Sequence, residues 1–330
     1  MDTGFVAVER CVARALGQND KTDTPLGSLH LPREHVRHFR LAGLCKCITH
    51  HPAGRFHRRL FTAAGGKGDR ERHCRRKKES PSQRRDTTFH HGRNVVISAF
   101  GGNVVRFGPV IEPYRKNVFL ACKTGKRTAD EAQQEFEESL RLLKTDHIDL
   151  YQHHAVTTVE EVETILGPGG AMEYFLRARD QGLVRYLGFS AHSEEAAIAM
   201  LDAFGFDSVL FPVNWVTYHT GGFGPRVIAA AGKRGSAILA LKALAKRKWY
   251  NEEERKLWPK AWYRPVETYE EAELGLRFTL SQPVTAAVSP GHEELLDWML
   301  AGEKRFTPLD ASELQRLKER AADLDPIFAV

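Results

Sequence analysis

The sequence predicts an α/β protein, a (β/α)8 TIM barrel that is incomplete, with six recognisable βα units behind an irregular basic N-terminal segment. Three observations carry this reading. From residue 118 onward, apolar strand-like runs alternate with segments of helical period, the order expected of parallel βα units. The runs end near residues 123, 154, 190, 214, 242 and 291, in steps of 31, 36, 24, 28 and 49, and a βαβ unit takes about 30 residues. None of these runs is followed by a G-x-G-x-x-G turn, which argues against a doubly wound dinucleotide-binding sheet and for a barrel.

The elements follow in order. "VFLACK" is a buried strand that ends on Lys123. Thr128, three residues before Glu131, has capping-box spacing, and Ala129, Ala132, Phe136, Leu140 and Leu143 then recur at helical intervals. "HIDLYQHH" is the next strand, and Thr158 with Glu161 repeats the capping-box spacing. "AMEYFLRARDQG" is a helix stopped by Gly182, where a residue free to take positive φ suits a C-terminal cap. "LVRYLGFS" is a strand, and the helix after it opens with Glu194 and Glu195 at its positive end. "DSVLFPVN", "SAILALKAL" and "VTAAVSPG" are the remaining strands, separated by helices at 224–235 and 268–282. The long last step holds an insertion rich in Trp and charge, 246–266. Upstream, only 94–102 reads as a strand.

The 330 residues carry a net charge of +6, which averages two unlike segments. Residues 1–100 hold 20 Lys/Arg against 9 Asp/Glu, while the remainder holds 28 against 33. Nine of the fifteen histidines and four of the five cysteines also lie in that first stretch. The expected division is therefore a basic, His/Arg-rich, poorly ordered segment at 1–93 and a barrel domain at 94–330. Five cysteines do not suggest a disulfide framework, and no apolar run approaches the ~18 residues of a membrane span, so a cytoplasmic location is expected.

In such a barrel the site lies at the C-terminal ends of the strands. Lys123 and His154 end consecutive strands. Alternation sets Lys123 on one face with Ala121 and Phe119, and His154 with Gln152 and Leu150. An ammonium there stabilises developing negative charge, and an imidazole orients a carbonyl or moves a proton. Two polar residues on a solvated rim are the plainer alternative.

"VFLACKT", "ESLRLLKTDHIDLYQHH", "GLVRYLGFSAHS" and "AVSPG", in that order over residues 105–300, resemble the aldo/keto reductase superfamily. The resemblance implies a TIM barrel that binds NADP(H) at its mouth (NAD(H) is not excluded) and reduces a small aldehyde or ketone. It makes Lys123 and His154 the catalytic lysine and histidine. Ser190 matches the serine that holds the nicotinamide carboxamide, with Ala191 in place of the usual asparagine. Asn214 and Trp215 fall where the family has residues facing nicotinamide; Trp215 is equally well read as plain core. Leu241 and Lys242 stand where many members place a stacking aromatic. Pro290 and Gly291 match the turn near the cofactor phosphates, and no arginine follows to clamp a 2′-phosphate.

The family's F-D-T-A and Y-G motifs, which supply an aspartate beside the lysine and a tyrosine proton donor, are absent upstream, and Tyr114 lies in a loop-like stretch unsuited to that role. Such a break is what a shifted reading frame or displaced start leaves. The resemblance therefore also admits a catalytically impaired remnant that retains at most nucleotide binding. Two further readings concern the N-terminal segment. Residues 70–85 offer a basic run for nucleic acid, without interleaved aromatics. Cys45, Cys47, His50, His51, His57, His73 and Cys74 are metal-ligand types at spacings unlike a zinc finger. A solvated charge run and chance enrichment are the simpler explanations, and no metal site is expected.

Overall fold

The computed structural model describes residues 47–49, 96–99 and 104–330, with side chains from residue 104 onward. All belong to one compact unit of the chain. The basic run 70–85 and the side chains of the candidate zinc ligands lie outside the described residues.

One sheet organises the molecule. Its strands are β1 (Cys47–Thr49), β2 (Val96–Ala99), β3 (Phe119–Thr124), β4 (Ile148–Val156), β5 (Val184–Ala191), β6 (Ser208–Pro212), β7 (Ala237–Leu241) and, after a small hairpin of β8 (Ala245–Arg247) and β9 (Arg264–Pro265), β10 (Ala286–Val288). The spatial order is β1-β10-β7-β6-β5-β4-β3-β2. Every neighbouring pair from β10 to β2 is parallel. The six units read from the sequence are β3, β4, β5, β6, β7 and β10, and they form the curled parallel sheet of an incomplete (β/α)8 barrel. β2, inside the expected strand at 94–102, pairs Val96 with Phe119 and lies beside β3. β1 falls within the stretch expected to lack regular structure. It runs antiparallel to β10, pairing Cys47 with Val288, a direction that a barrel of parallel strands does not contain.

The strands form because both of their faces are covered, as near-continuous apolar runs in a parallel sheet require. Among the described residues, helices α1 (Val104–Ile111), α2 (Ala129–Leu143), α3 (Val159–Leu166), α4 (Ala171–Asp180) and α5 (Glu194–Ala203) accompany β3, β4 and β5. Tyr151 of β4 packs edge-on against Phe136 of α2 at 4.8 Å and tilted against Phe175 of α4 at 4.7 Å. At the start of β3, the buried Asp149 carboxylate accepts from the Leu120 N–H at 2.9 Å and pairs with Arg115 at 3.0 Å. That pair fixes β3 against β4 in the register Ala121↔Leu150.

Most element ends follow the local sequence signals, and a few depart from them. Thr158 and Glu161 form a reciprocal capping box. Thr128 also occupies an N-cap position, but its hydroxyl donates to the Glu131 carboxylate at 2.8 Å instead of accepting from the helix. Gly182 takes φ +77° after α4, as a C-terminal cap requires. The strand expected to run through 244 stops at Leu241, because Lys242 turns to φ +66°. A one-turn helix not expected from the sequence, α6 (Trp215–His219), follows β6. Helices α7 (Pro225–Arg234), α8 (Glu252–Leu257), α9 (Tyr269–Ser281), α10 (Glu293–Glu303) and α11 (Ala311–Ala322) complete the described chain, and a tail through Val330 follows. No helix among the described residues is long and apolar enough to cross a membrane.

Candidate active site

Because β3, β4, β5, β6, β7 and β10 are parallel and adjacent, their C-terminal ends share one rim. Lys123, His154, Ser190, Asn214, Lys242 and Gly291 each lie at or just past one of those ends. Sequence order thus becomes spatial order around the rim.

Lys123 is paired in register with Gln152, two residues before His154. The strand pleat then puts both side chains on the inner face. The tandem histidines divide accordingly. His153 points outward and is fully buried, stacked on Phe175 at 4.0 Å with the rings 9° apart. His154 is half-buried at the rim. Its pKa is pushed down to about 4, first by loss of solvent and then by the ammonium of Lys123 and the guanidinium of Arg127. At neutral pH His154 is therefore a neutral imidazole with one N–H to donate.

A backbone irregularity presents His154. The β4–β5 register shifts between His153 and Val156, and Ala155 takes φ +52°, a left-handed conformation rare for a residue with a Cβ. Two side chains pin it. Ser190 Oγ accepts from the Ala155 N–H at 2.7 Å, and Arg127 donates to the carbonyls of His154 and Ala155 at 2.9 and 3.4 Å while paired with Glu161 at 3.0 Å. Sequence reasoning missed Arg127; only the fold shows that an exposed-looking arginine reaches back to this loop. Ser190→Ala is expected to cost about 1–3 kcal/mol, through the stranded Ala155 N–H, and to broaden the His154 resonances. Denaturant unfolding and NMR of the histidine side chains measure both.

Further along the rim, His192 is held near a pKa of about 4 by burial, by Lys242 and by His154. Its ring stacks on Phe328 of the C-terminal tail at 5.4 Å. Phe328 also stacks on Phe223 at 5.2 Å and lies under the Lys242 ammonium at 4.5 Å. Burial brings that ammonium down to about 8. Lys123, His154, His192 and Lys242 thus form one electrostatically connected row.

The other expected residues sit differently. Asn214 is the N-cap of α6. Its Oδ1 accepts from the Thr217 N–H at 3.0 Å and its Nδ2 donates to Thr217 Oγ1 at 2.8 Å. Asn214→Ala is expected to destabilise the fold by about 1–2 kcal/mol through loss of this cap, measured by thermal unfolding. Trp215 is buried with Val216, Phe278, Leu317 and Ala321, the plain-core placement. Pro290 and Gly291 are half-buried and follow β10 directly. Tyr114 lies in the 3-10 turn Glu112–Asn117, which precedes β3. The four residues of β3 that precede Lys123 span about 13 Å along the strand, and Tyr114 lies before them. Among the described residues no group of three His, Cys, Asp or Glu side chains could hold a metal ion.

The parallel βα units thus bring a lysine and a histidine to the ends of consecutive strands, at one rim of a barrel-type sheet. Residues 102–259 match the model of the aldo/keto reductase family. Over 115 residues the chain is 29% identical to the uncharacterized oxidoreductase YqkF of Bacillus subtilis (strain 168), a match that takes in 31% of this chain and 33% of that protein. The chain thus spans about a third of that relative's length. Among solved structures, the aldo-keto reductase AKR11C1 from Bacillus halodurans superimposes with a TM-score of 0.51 in its apo form, at 20% identity, covering 69% of this chain and 82% of that one. Its holo form gives a TM-score of 0.51 at 21% identity, covering 69% and 83%. These structures establish the fold.

Proposed function

We propose that this protein reduces a small aldehyde or ketone with NAD(P)H. The observation that carries the reading is the electrostatic coupling of Lys123 and His154 at adjacent strand ends, within a segment that matches the aldo/keto reductase family.

The residues present suit a nicotinamide cofactor at some positions and are committed elsewhere at others. Ser190 accepts from the Ala155 N–H and keeps its own O–H to donate to a carboxamide oxygen. Pro290 and Gly291 end β10 at the same rim. The Asn214 amide is engaged at both ends with Thr217, and Trp215 is buried in the core. When bound, NAD(P)H supplies the hydride.

The chain's own groups supply the rest. The neutral imidazole of His154 donates its N–H to the carbonyl oxygen and so fixes the carbonyl's orientation. The Lys123 ammonium stabilises the negative charge that develops on that oxygen. The alkoxide left by hydride transfer takes its proton from the Lys123 ammonium, which solvent at the rim restores, while His154 remains the hydrogen-bond donor. The depressed pKa of His154 ensures that it orients as a neutral donor and does not compete with Lys123 as a second cation.

The test titrates the purified full chain with NADPH, following tryptophan and nucleotide fluorescence, and then assays oxidation of NADPH by a panel of aldehydes and ketones. Saturable binding with turnover is expected. Saturable binding without turnover would replace this reading with that of an impaired nucleotide-binding remnant. Absence of both would end it.

A further inference from the structure

We propose that the ammonium of Lys242 receives a carboxylate borne by the carbonyl substrate, so that the protein acts on oxo acids. This rests on the carbonyl reduction proposed above, and it names the substrate class.

Among the described residues Lys242 has no ion-pair partner, whereas the next two lysines in the sequence, Lys246 and Lys248, are paired with Glu271 and Asp325. Its ammonium lies over an aromatic face, 4.5 Å from the centre of the Phe328 ring. A ring quadrupole offsets only part of the lost hydration of an ammonium. A charge largely withdrawn from water without a counter-ion is completed by an anion arriving with the ligand.

The backbone aims it there. Lys242 leaves β7 in a left-handed conformation at φ +66°, a costly choice for a lysine. That conformation is locked by the Val213 N–H to the Leu241 carbonyl at 3.0 Å and the Ala245 N–H to the Lys242 carbonyl at 2.9 Å. The aromatic wall is held as well. The Lys248 N–H donates to the Asp325 carbonyl at 3.1 Å and the Val330 N–H to the Gly221 carbonyl at 3.0 Å, which brackets Phe328.

Position selects the kind of anion. His192 is electrostatically coupled to both Lys242 and His154, so the Lys242 ammonium lies in the neighbourhood of the group that would hold the carbonyl. An anion seated on Lys242 therefore belongs to the same small molecule as the carbonyl. A cofactor phosphate is the other source of an anion here, and the Pro290–Gly291 turn at the end of β10 is its expected seat.

The experiment uses the full chain without nucleotide and two ketones of matched shape, 4-acetylbenzoate and 4-methylacetophenone, in equilibrium titration. We expect the carboxylate to bind at least tenfold tighter in the wild type, the advantage to vanish in Lys242→Met, and Lys242→Arg to retain most of it. Protection of Lys242 from acetylation by 4-acetylbenzoate, read by mass spectrometry on the wild type, is expected too and does not depend on any variant folding. Equal affinities for the two ketones, or a preference that survives in Lys242→Met, overturns the proposal. So does a tenfold loss of NADPH affinity in Lys242→Met, which assigns the ammonium to a cofactor phosphate. A carboxylate preference that follows Lys242 in a chain without turnover upholds the anion site while ending the reductase reading.

Discussion

Lys123→Met is expected to lower kcat/KM for aldehyde reduction by roughly 10³-fold, within the range that removal of a proton-bearing catalytic group costs. Methionine keeps the length and apolar stem of the side chain and removes only the charge, so the half-buried strand end of β3 should still pack. The same substitution has a second expected readout that does not require turnover. Lys123 is among the causes that depress His154. Removing its ammonium should let the His154 pKa rise from about 4 toward its ordinary value, with burial and Arg127 still holding it below. A pH titration of the histidine side-chain resonances in both proteins measures this. Unchanged turnover together with an unmoved His154 titration would show that the two groups do not share a site.

The second large effect is on stability in acid, and its source is His153. The ring is fully buried between β4 and α4, stacked on Phe175, with neither nitrogen hydrogen-bonded. Burial brings its pKa down from 6.5 to about 3. The folded value lies below the unfolded one, so between these limits the unfolded chain takes up a proton that the folded chain refuses. The stability is complete above pH 6.5 and is lost as the pH falls below it. At pH 5 this one residue should cost about 2 kcal/mol relative to neutral pH. His154 and His192, also depressed, act in the same direction, so the wild-type loss exceeds this figure. His153→Leu isolates the contribution. Urea unfolding at pH 7.5 and pH 5 should show the variant losing about 2 kcal/mol less than the wild type over that interval. Equal losses would show that His153 is not the buried neutral group described here.

Much of the architecture was legible in the chain because it depends on local period. The six βα units, the cap at Thr158 and the stop at Gly182 each follow from a few neighbouring residues. Lys123 and His154 were legible because strand ends and pleat parity can be counted. What resisted reading depended on contacts between distant residues. Arg127 reaches the β4 loop from 27 residues away, and Phe328 reaches Lys242 from the far end of the chain. The pairing of Cys47–Thr49 against β10 joins segments more than two hundred residues apart, and three residues carry too little pattern to announce a strand.

The sequence by itself determined that this is a parallel βα chain with a lysine and a histidine at consecutive strand ends, since period and parity are properties of neighbours. Only the tertiary structure decided which of the tandem histidines is core and which faces the rim. It alone committed Asn214 to a helix cap and Trp215 to the interior, and left Lys242 over an aromatic ring without a carboxylate partner among the described residues. The physical reason is that desolvation and partnership, which set the charge state and availability of a side chain, are made by whatever the fold brings alongside it.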